Sequence, residues 1–366
     1  MVVKVGPKYA TIATLIEADI HAGEWERDGV PSVRGVAAQY SVSPVTASRA
    51  LQVLRDKGLI RTVERAGCYR TPAAETERYT LCLRLTPGPW RSLTEAAARG
   101  GFAALARREP THFDGDPVEP RPGQSLAEAE RVAAAALAGG SRGVILLPNR
   151  VSEAEAAAER VTIAGCRAAG LPVCLVERNL EGADGLPCDL VTLDDFGAGA
   201  AATRHLLGLG RRRVGVVVAG ATSSHCGRLA GYLYALHGQS PAPATHVLRV
   251  QHSVEPKASY QALCDTVLKQ KLDAVICFSD YAAVGLIVEL MHRGRSVPGD
   301  VAVLGFDDLP VGDLLPGGLT TFAYPGEAMA GHAVRLLRDR RARPDRPPAH
   351  VLIPSELIVR GSTVGV

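Results

Sequence analysis

Aromatic residues are scarce, at 5% of 366 residues with only two tryptophans, so each exposed one is a candidate contact residue. Long apolar runs are missing too. Nothing approaches the ~18 consecutive apolar residues that a membrane span needs, and the first residues carry no apolar segment of the kind a secretory leader has. The eight cysteines (Cys68, Cys82, Cys166, Cys174, Cys188, Cys226, Cys264 and Cys277) form no CxxC pair and no Cys/His cluster at metal spacing. Several sit inside apolar runs such as Val173-Cys174-Leu175 and Ile276-Cys277-Phe278, and they read as buried free thiols. A reducing cytoplasm is the expected compartment, and no metal is expected. No P-loop, GxSxG or HExxH occurs, and Gly208-Leu209-Gly210 runs into Arg211-Arg212-Arg213 without completing GxGxxG. Neither a cofactor nor a catalytic group is therefore expected.

What is present is a soluble composition, 46% hydrophobic and 22% charged, in a 38.5 kDa chain long enough for two or three packed units. The formal charge of +3 identifies no partner by itself, but its distribution does more. From Arg34 to Arg70 seven basic residues face two acidic ones, a local +5, whereas residues 79–366 hold thirty basic and twenty-nine acidic residues. The positive excess lies near the N-terminus, where a polyanion would be met.

Residues 8–22 carry Ile12, Leu15, Ile16 and Ile20 at helical spacing, and Gly23 follows. A short helix is expected over 32–40, with Val33, Val36 and Ala37 as its apolar side. The next is expected to start at Ser43, an N-cap, with Pro44 at the first helical position, and to end at Gly58. It buries Ala47, Ala50, Leu51 and Leu54, which leaves Val45, Thr46, Ser48, Arg49 and Gln52 outside. Two β-prone pieces, 59–63 and 68–71, flank a hairpin tip at Glu64-Arg65-Ala66-Gly67. Beyond a linker-like stretch, short apolar strands (80–85, 143–147, 172–176, 190–193, 213–218, 274–278 and 301–305) alternate with helical stretches at 126–138, 153–169, 196–209, 257–270 and 280–293. Such alternation predicts parallel sheets covered by helices on both faces.

The run Pro31-Ser32-Val33-Arg34-Gly35-Val36-Ala37, followed by Val42-Ser43-Pro44-Val45-Thr46-Ala47-Ser48-Arg49-Ala50-Leu51 and Gly58-Leu59-Ile60, resembles the GntR-type winged helix over about residues 8–71. That resemblance implies DNA contacts by Arg34 and by the first turns of the third helix, with Ser32, Ser43, Val45, Thr46, Ser48 and Arg49 as the candidates. It also implies a wing reaching the minor groove through Arg65 and Gly67. The family usually carries arginine where this chain has Pro44, a departure expected to alter the preferred operator more than the mode of binding.

In the rest of the chain, the runs Leu171-Pro172-Val173, Glu177-Arg178, Asp194-Asp195, Arg228-Leu229-Ala230-Gly231-Tyr232, Ser279-Asp280-Tyr281-Ala282-Ala283, Val297-Pro298-Gly299-Asp300-Val301 through Gly305-Phe306-Asp307-Asp308, and Leu319-Thr320-Thr321 resemble the LacI/GalR-type effector domain, itself similar to periplasmic sugar-binding proteins. By that resemblance Arg228 and Asp280 hold a ligand. Arg178 falls just past a strand's C-terminal end, where open α/β sheets bind ligands. Trp90 is the candidate plate for a sugar's apolar face, His252 a further pocket candidate, and Tyr324 either lines the cleft or packs the hinge. Asp194-Asp195 and Asp307-Asp308 read as helix and turn caps rather than acid–base pairs.

The expected fold class is thus α/β: a winged helix domain over 1–72, a linker over 73–78, and a two-lobed, periplasmic-binding-protein-like domain of parallel sheets flanked by helices over 79–366. Its first lobe is expected at about 79–177 and 324–344, its second at about 178–323 and 345–361. The pairing of the two modules resembles the arabinose-repressor architecture. It implies a homodimeric transcription regulator that binds double-stranded operator DNA under control of a sugar-like effector, with no membrane partner. The alternatives are a sugar-binding protein or an α/β enzyme without regulatory DNA binding.

Overall fold

The computed structural model describes residues 8–22, 32–56, 60–63, 67–70, 76–83, 91–115, 118, 120–148, 153–180, 185–219, 222–250 and 256–365. The chain divides into two compact units, Met1–Thr76 and Glu77–Val366.

The front unit contains α1 (Lys8–Ala22), α2 (Val33–Gln39), α3 (Pro44–Asp56), β1 (Ile60–Val63) and β2 (Gly67–Arg70). Ile12, Ala13 and Ile16 of α1, Val36 of α2, and Ala47, Ala50, Leu51 and Leu54 of α3 close one small core with Ile60. Leu15 was expected in that core but is 49% exposed, because the buried stripe of α1 runs through Ala13 instead. The Ser32 hydroxyl accepts the Gly35 N–H at 3.2 Å and so starts α2. The Tyr40 hydroxyl at the end of α2 donates to Asp19 at 2.8 Å, tying α2 to α1. β1 and β2 pair antiparallel with Val63 opposite Gly67. Gly67 therefore opens the second strand rather than ending the tip, and residues 64–66 lie outside the described residues.

The rear unit begins with β3 (Glu77–Leu83), so its first strand takes up the last two residues, Glu77 and Arg78, of the expected linker. There follow α4 (Arg91–Arg108), β4 (Thr111–Gly115), α5 (Leu126–Ala138), β5 (Ser141–Leu147), α6 (Glu153–Ala168), β6 (Val173–Val176) and β7 (Asp189–Leu193). Then come α7 (Asp195–Gly208), β8 (Val214–Val218), α8 (Ser223–His237), β9 (His246–Arg249), α9 (Pro256–Lys269), β10 (Ala274–Ile276), α10 (Asp280–His292), β11 (Ala302–Leu304), a 3-10 turn (Pro310–Leu314) and β12 (Thr321–Phe322). The chain finishes with α11 (Gly326–Ala342), β13 (His350–Ile353), β14 (Leu357–Ile358) and α12 (Gly361–Val364).

Two parallel sheets result, a six-stranded one in the order β13-β7-β6-β5-β3-β4 and a four-stranded one in the order β11-β10-β8-β9. Strand side chains alternate between faces. Tyr79, Leu81, Ile145, Leu147, Cys174 and Val176 meet α4 and α11 on one face of the larger sheet. Cys82, Val144, Leu146, Val173 and Leu175 meet α5 and α6 on the other. In the smaller sheet Val217, Val275 and Val303 face α9 and α10, while Val214, Val216 and Ile276 face α7 and α8.

Strand pairing corrects the expected lobe limits. β7 pairs with β6, and β13 pairs with β7, so 189–193 and 350–353 belong to the first lobe, not the second. The reason is burial: β7 is enclosed along its whole length and can be covered only inside the larger sheet. The chain thus crosses between lobes after Leu193, after Phe322 and after Ile353, and the last two crossings are joined by the antiparallel β12–β14 ribbon.

Candidate functional site

In the front unit the chemistry lies on α3 and the start of α2. The Ser43 hydroxyl accepts the Thr46 N–H at 3.2 Å and sits 2.9 Å from Thr46 Oγ1, which caps α3, while Pro44 takes the first helical position, where an N–H has no intrahelical acceptor. The cap fixes where the following side chains emerge. Val45 is 66% exposed, and Ser48, Arg49 and Arg34 are exposed as well. Neither arginine has an ion-pair partner among the described residues. An apolar side chain, a hydroxyl and a free guanidinium on one short helix are the groups that meet a thymine methyl, a base edge and a phosphate. Arg65 lies outside the described residues.

In the rear unit Arg228 is 8% exposed, on α8. Its Nε donates to Asp195 Oδ1 at 2.8 Å, its Nη1 donates to the Phe278 carbonyl at 2.7 Å, and its guanidinium lies over the Phe306 ring at 3.9 Å. These three contacts leave Nη2 without a hydrogen-bond partner among the described residues. The arrangement requires α7 and α8 to approach closely, and glycines permit it: a Cβ at Gly199 would stand 2.2 Å from the Arg228 carbonyl oxygen, and one at Gly231 would stand 2.1 Å from that of Phe196. Asp194 caps α7 by accepting the Gly197 N–H at 2.8 Å, as expected, but Asp195 beside it is the arginine's partner and was missed.

Asp280 is expected to touch ligand, and the structure places its carboxylate inside the fold. It is 0% exposed, and both carboxylate oxygens are occupied: Oδ1 by the Thr321 hydroxyl at 2.6 Å, Oδ2 by the Leu309 N–H at 2.7 Å. At the first position of α10 its side chain turns inward beneath Gly305, where a Cβ would stand 2.2 Å from Oδ1. Burial first, and then the nearby Asp307 and Asp308 charges, push its carboxyl up to about 8 against the Thr321 and Leu309 hydrogen bonds. What Asp280 fixes is the turn from Phe306 to Leu309, in which Asp307 has φ 101° and Asp308 φ 48°. Such conformations cost roughly 1–3 kcal/mol each and persist where surroundings impose them. Asp308 is held by Arg360 at 2.8 Å. Asp307 is half-buried beside Asp280 and Tyr324. The signal for it was present in the sequence, as a carboxylate immediately past a buried strand.

Arg178 sits past the end of β6 with its Nη2 3.0 Å from Glu177 and its buried Nε unpartnered. Glu177 itself has φ 71°. The next residue, Asn179, donates its N–H to the Ser223 hydroxyl at 3.1 Å, joining the first lobe to the start of α8. Tyr324 packs its ring on the first lobe's core. Its phenol is pushed far above the ordinary value, by burial first and then by the Glu177 and Asp307 charges, with Arg178 opposing. His225 and Phe278, 5.2 Å apart between ring centroids, stand beside Arg228 and were not anticipated. Trp90 and His252 lie outside the described residues. No group of three or more potential metal ligands occurs among the described residues.

Residues 8–69 match the model of the bacterial regulatory proteins of the gntR family, and residues 203–363 match the periplasmic binding protein-like domain. The chain is a member of the HTH-type, LacI/GalR-like transcriptional regulators. The regulator is 32% identical over 200 residues to the HTH-type transcriptional regulator MalR of Streptomyces coelicolor, an alignment that covers 54% of this chain and 57% of that protein. It is 24% identical over 378 residues to the arabinose metabolism transcriptional repressor of Geobacillus stearothermophilus, covering 98% of each. Among solved structures, that of a transcriptional regulator CelR–cellobiose complex has the same fold, with a TM-score of 0.62 and 22% identity over 97% of this chain and 99% of that one.

Proposed function

We propose that the regulator is a homodimeric repressor whose operator affinity is set by a sugar or related polyol held between the two lobes of the rear domain. The observation that carries this is the fixed Arg228: a guanidinium oriented by a carboxylate, a carbonyl and an aromatic ring, with one nitrogen left to donate. A polyol offers adjacent hydroxyls to such a donor, and Arg178, Asp307 and Tyr324 supply further polar groups at the strand ends. The His225–Phe278 pair offers ring faces for the ligand's C–H side. Asp280 acts as a positioning residue, through the turn that carries Asp307. In the front domain Arg34, Val45, Thr46, Ser48 and Arg49 meet the major groove, while the residues about Gly67 form the wing.

Two heads bind two half-sites, so symmetry of the operator mirrors symmetry of the protein. Tyr281, Val284, Val288 and Met291 form an apolar stripe at helical spacing on α10, with Val288 39% and Met291 52% exposed. Leu314, 81% exposed, projects from the adjoining 3-10 turn. A second copy covering this stripe accounts for its exposure. Ligand closes the lobes, and because effector and operator are linked through one protein, each lowers the affinity of the other.

The relatives' names and the CelR–cellobiose structure support a carbohydrate effector without fixing which one, and they support a regulator rather than an enzyme. A thermal-shift screen of monosaccharides, disaccharides, polyols and nucleosides finds the ligand, and fluorescence anisotropy on the chain's own promoter DNA then tests control. A stabilising sugar that weakens operator binding is the expected result. Turnover of that sugar, lost in an Arg228→Ala variant, would replace regulation by catalysis.

A further inference from the structure

The rear domain carries a charged joint at the residue where the chain enters it. Glu77 is the first residue of that domain, and its backbone N–H donates to the Pro110 carbonyl at 2.9 Å, beside the start of β4. Its side chain is fastened on three sides: Oε1 accepts from Arg142 at 2.8 Å, and Oε2 accepts from Arg338 at 2.7 Å and from the Tyr79 hydroxyl at 3.0 Å. Arg338 reaches on to Glu109 at 3.2 Å. Desolvation alone would raise the Glu77 carboxyl, but the hydrogen bonds from Arg338 and Tyr79 and the charges of Arg338 and Arg142 outweigh it and hold it below the usual carboxylate range.

Arg338 is carried by α11. This helix starts next to Tyr324 at the lobe crossing, and Arg338 stands 13 residues beyond its Pro325 cap, about 20 Å along the axis at the usual helical rise. Between the two ends α11 is fixed to the first lobe. A Cβ at Gly101 of α4 would stand 2.2 Å from the Gly326 carbonyl carbon, and Met329, Ala330, Ala333, Val334 and Leu337 are buried in the core shared with the larger sheet. One end of a single packed helix therefore sits at the crossing, and the other holds the root of the segment that leads to the head.

We infer that Glu77 is a positioning residue for the control of DNA binding: its clamp by Arg338 and Arg142 binds the linker root rigidly to the first lobe, so that lobe closure is transmitted to the head. The inference rests on the proposed function and adds to it the joint through which effector and operator communicate. A root that frays from the lobe lets the linker absorb the motion instead, and the two sites then become independent.

The test uses the full chain and three readouts: operator Kd without effector, effector Kd, and the ratio of operator Kd with saturating effector to that without. The stabilising sugar from the thermal-shift screen is the probe. Coupling of this kind commonly spans about 5–150-fold. In Glu77→Ala and Arg338→Ala the ratio is expected to fall to within about twofold of one, while both separate Kd values stay within about twofold of wild type. Glu77→Gln, which keeps hydrogen-bond acceptance without the charge, is expected to lie between. Arg108→Ala, which breaks the exposed Arg108–Glu327 pair at 2.6 Å near the other end of α11, is expected to keep the wild-type ratio. A wild-type ratio in both Glu77→Ala and Arg338→Ala overturns the inference, and so does a loss of effector affinity in them that matches the loss of coupling. If the wild-type chain itself shows no effector-dependent ratio, the proposed function fails first, and the clamp is then only a structural one.

Discussion

Arg49 and Arg228 are the same residue type put to opposite uses. In the front domain Arg49 stands exposed and unpaired on a capped helix, and its neighbours Val45 and Ser48 are exposed as well. In the rear domain Arg228 is buried and already engaged by Asp195, Phe278 and Phe306. On the proposed function, the difference follows from the partner that each surface meets. A duplex presents a large, hydrated, regularly charged face, so a reader of it keeps its donors in water and loses little by waiting. A small polyol must be enclosed, and groups that enclose it have to be desolvated and oriented beforehand, which demands internal partners.

The largest effect that tests this contrast is expected from Arg228→Ala. Removing one member of a buried ion pair takes the guanidinium from Asp195 and costs about 3–5 kcal/mol. Chemical denaturation of the rear domain should show that loss, and effector-induced stabilisation should vanish. Asp195→Asn should recover part of the stability in the Arg228→Ala background, since the buried carboxylate charge that has lost its guanidinium is then removed. An Arg228→Ala protein as stable as wild type would remove the distinction between the two arginines.

Arg49→Ala comes next. Loss of a base or phosphate contact costs about 1–3 kcal/mol, roughly 5- to 150-fold in operator affinity, with effector affinity and thermal stability unchanged. Arg34→Ala should behave alike and reduce the salt dependence of binding. Unaltered operator affinity in both variants would take the DNA face away from α2 and α3.

The third prediction concerns pH and belongs to the rear domain alone. The buried Asp280 carboxyl keeps its proton up to about pH 8, whereas an unfolded aspartate ionises near 3.8. Between these values the folded protein holds a proton the unfolded chain has released. Its contribution to stability is complete below about pH 4 and is lost as pH rises through 8, at up to about 1.4 kcal/mol per pH unit. Denaturation from pH 5 to 9 should show this slope in wild type and a flatter profile in Asp280→Asn. Equal slopes would mean that Asp280 is ionised within the fold. The smallest effect is expected at Leu15, which sequence periodicity placed in the core and the fold leaves exposed: Leu15→Ser should change stability by under about 0.5 kcal/mol, where Ile16→Ala should cost about 2–5 kcal/mol.

The same contrast governs how far the sequence could be read. In the front domain the described helices were largely legible, because caps and apolar spacing are local signals: Ser43 and Pro44 start α3, and Ala47, Ala50, Leu51 and Leu54 are its buried face. In the rear domain the strands that read as continuous apolar runs were also found. Those passed over in the two parallel sheets, β4, β9 and β13, are edge strands with mixed burial, Thr111–Gly115, His246–Arg249 and His350–Ile353, and without a second neighbour they need no unbroken apolar run; β12 and β14, passed over as well, are two residues each. The candidate site was legible only in part, for a related reason. Arg228 and Arg178 stand out by type and position, but Asp195 is brought to Arg228 across 33 residues by the glycine contacts of α7 with α8, and Thr321 to Asp280 across 41. Asp280 and Asp307 differ in which way one side chain turns at a strand end, and no local pattern records that.

Fluorescence anisotropy of the intact chain on its own promoter DNA, titrated with and without the sugar that stabilises it, tests the account most directly. Salt-sensitive binding that weakens at least several-fold with the sugar in wild type, and is indifferent to it in Arg228→Ala, is the predicted result. Absence of salt-sensitive binding, or an affinity the sugar leaves unchanged in wild type, would contradict control of the front domain by the rear one.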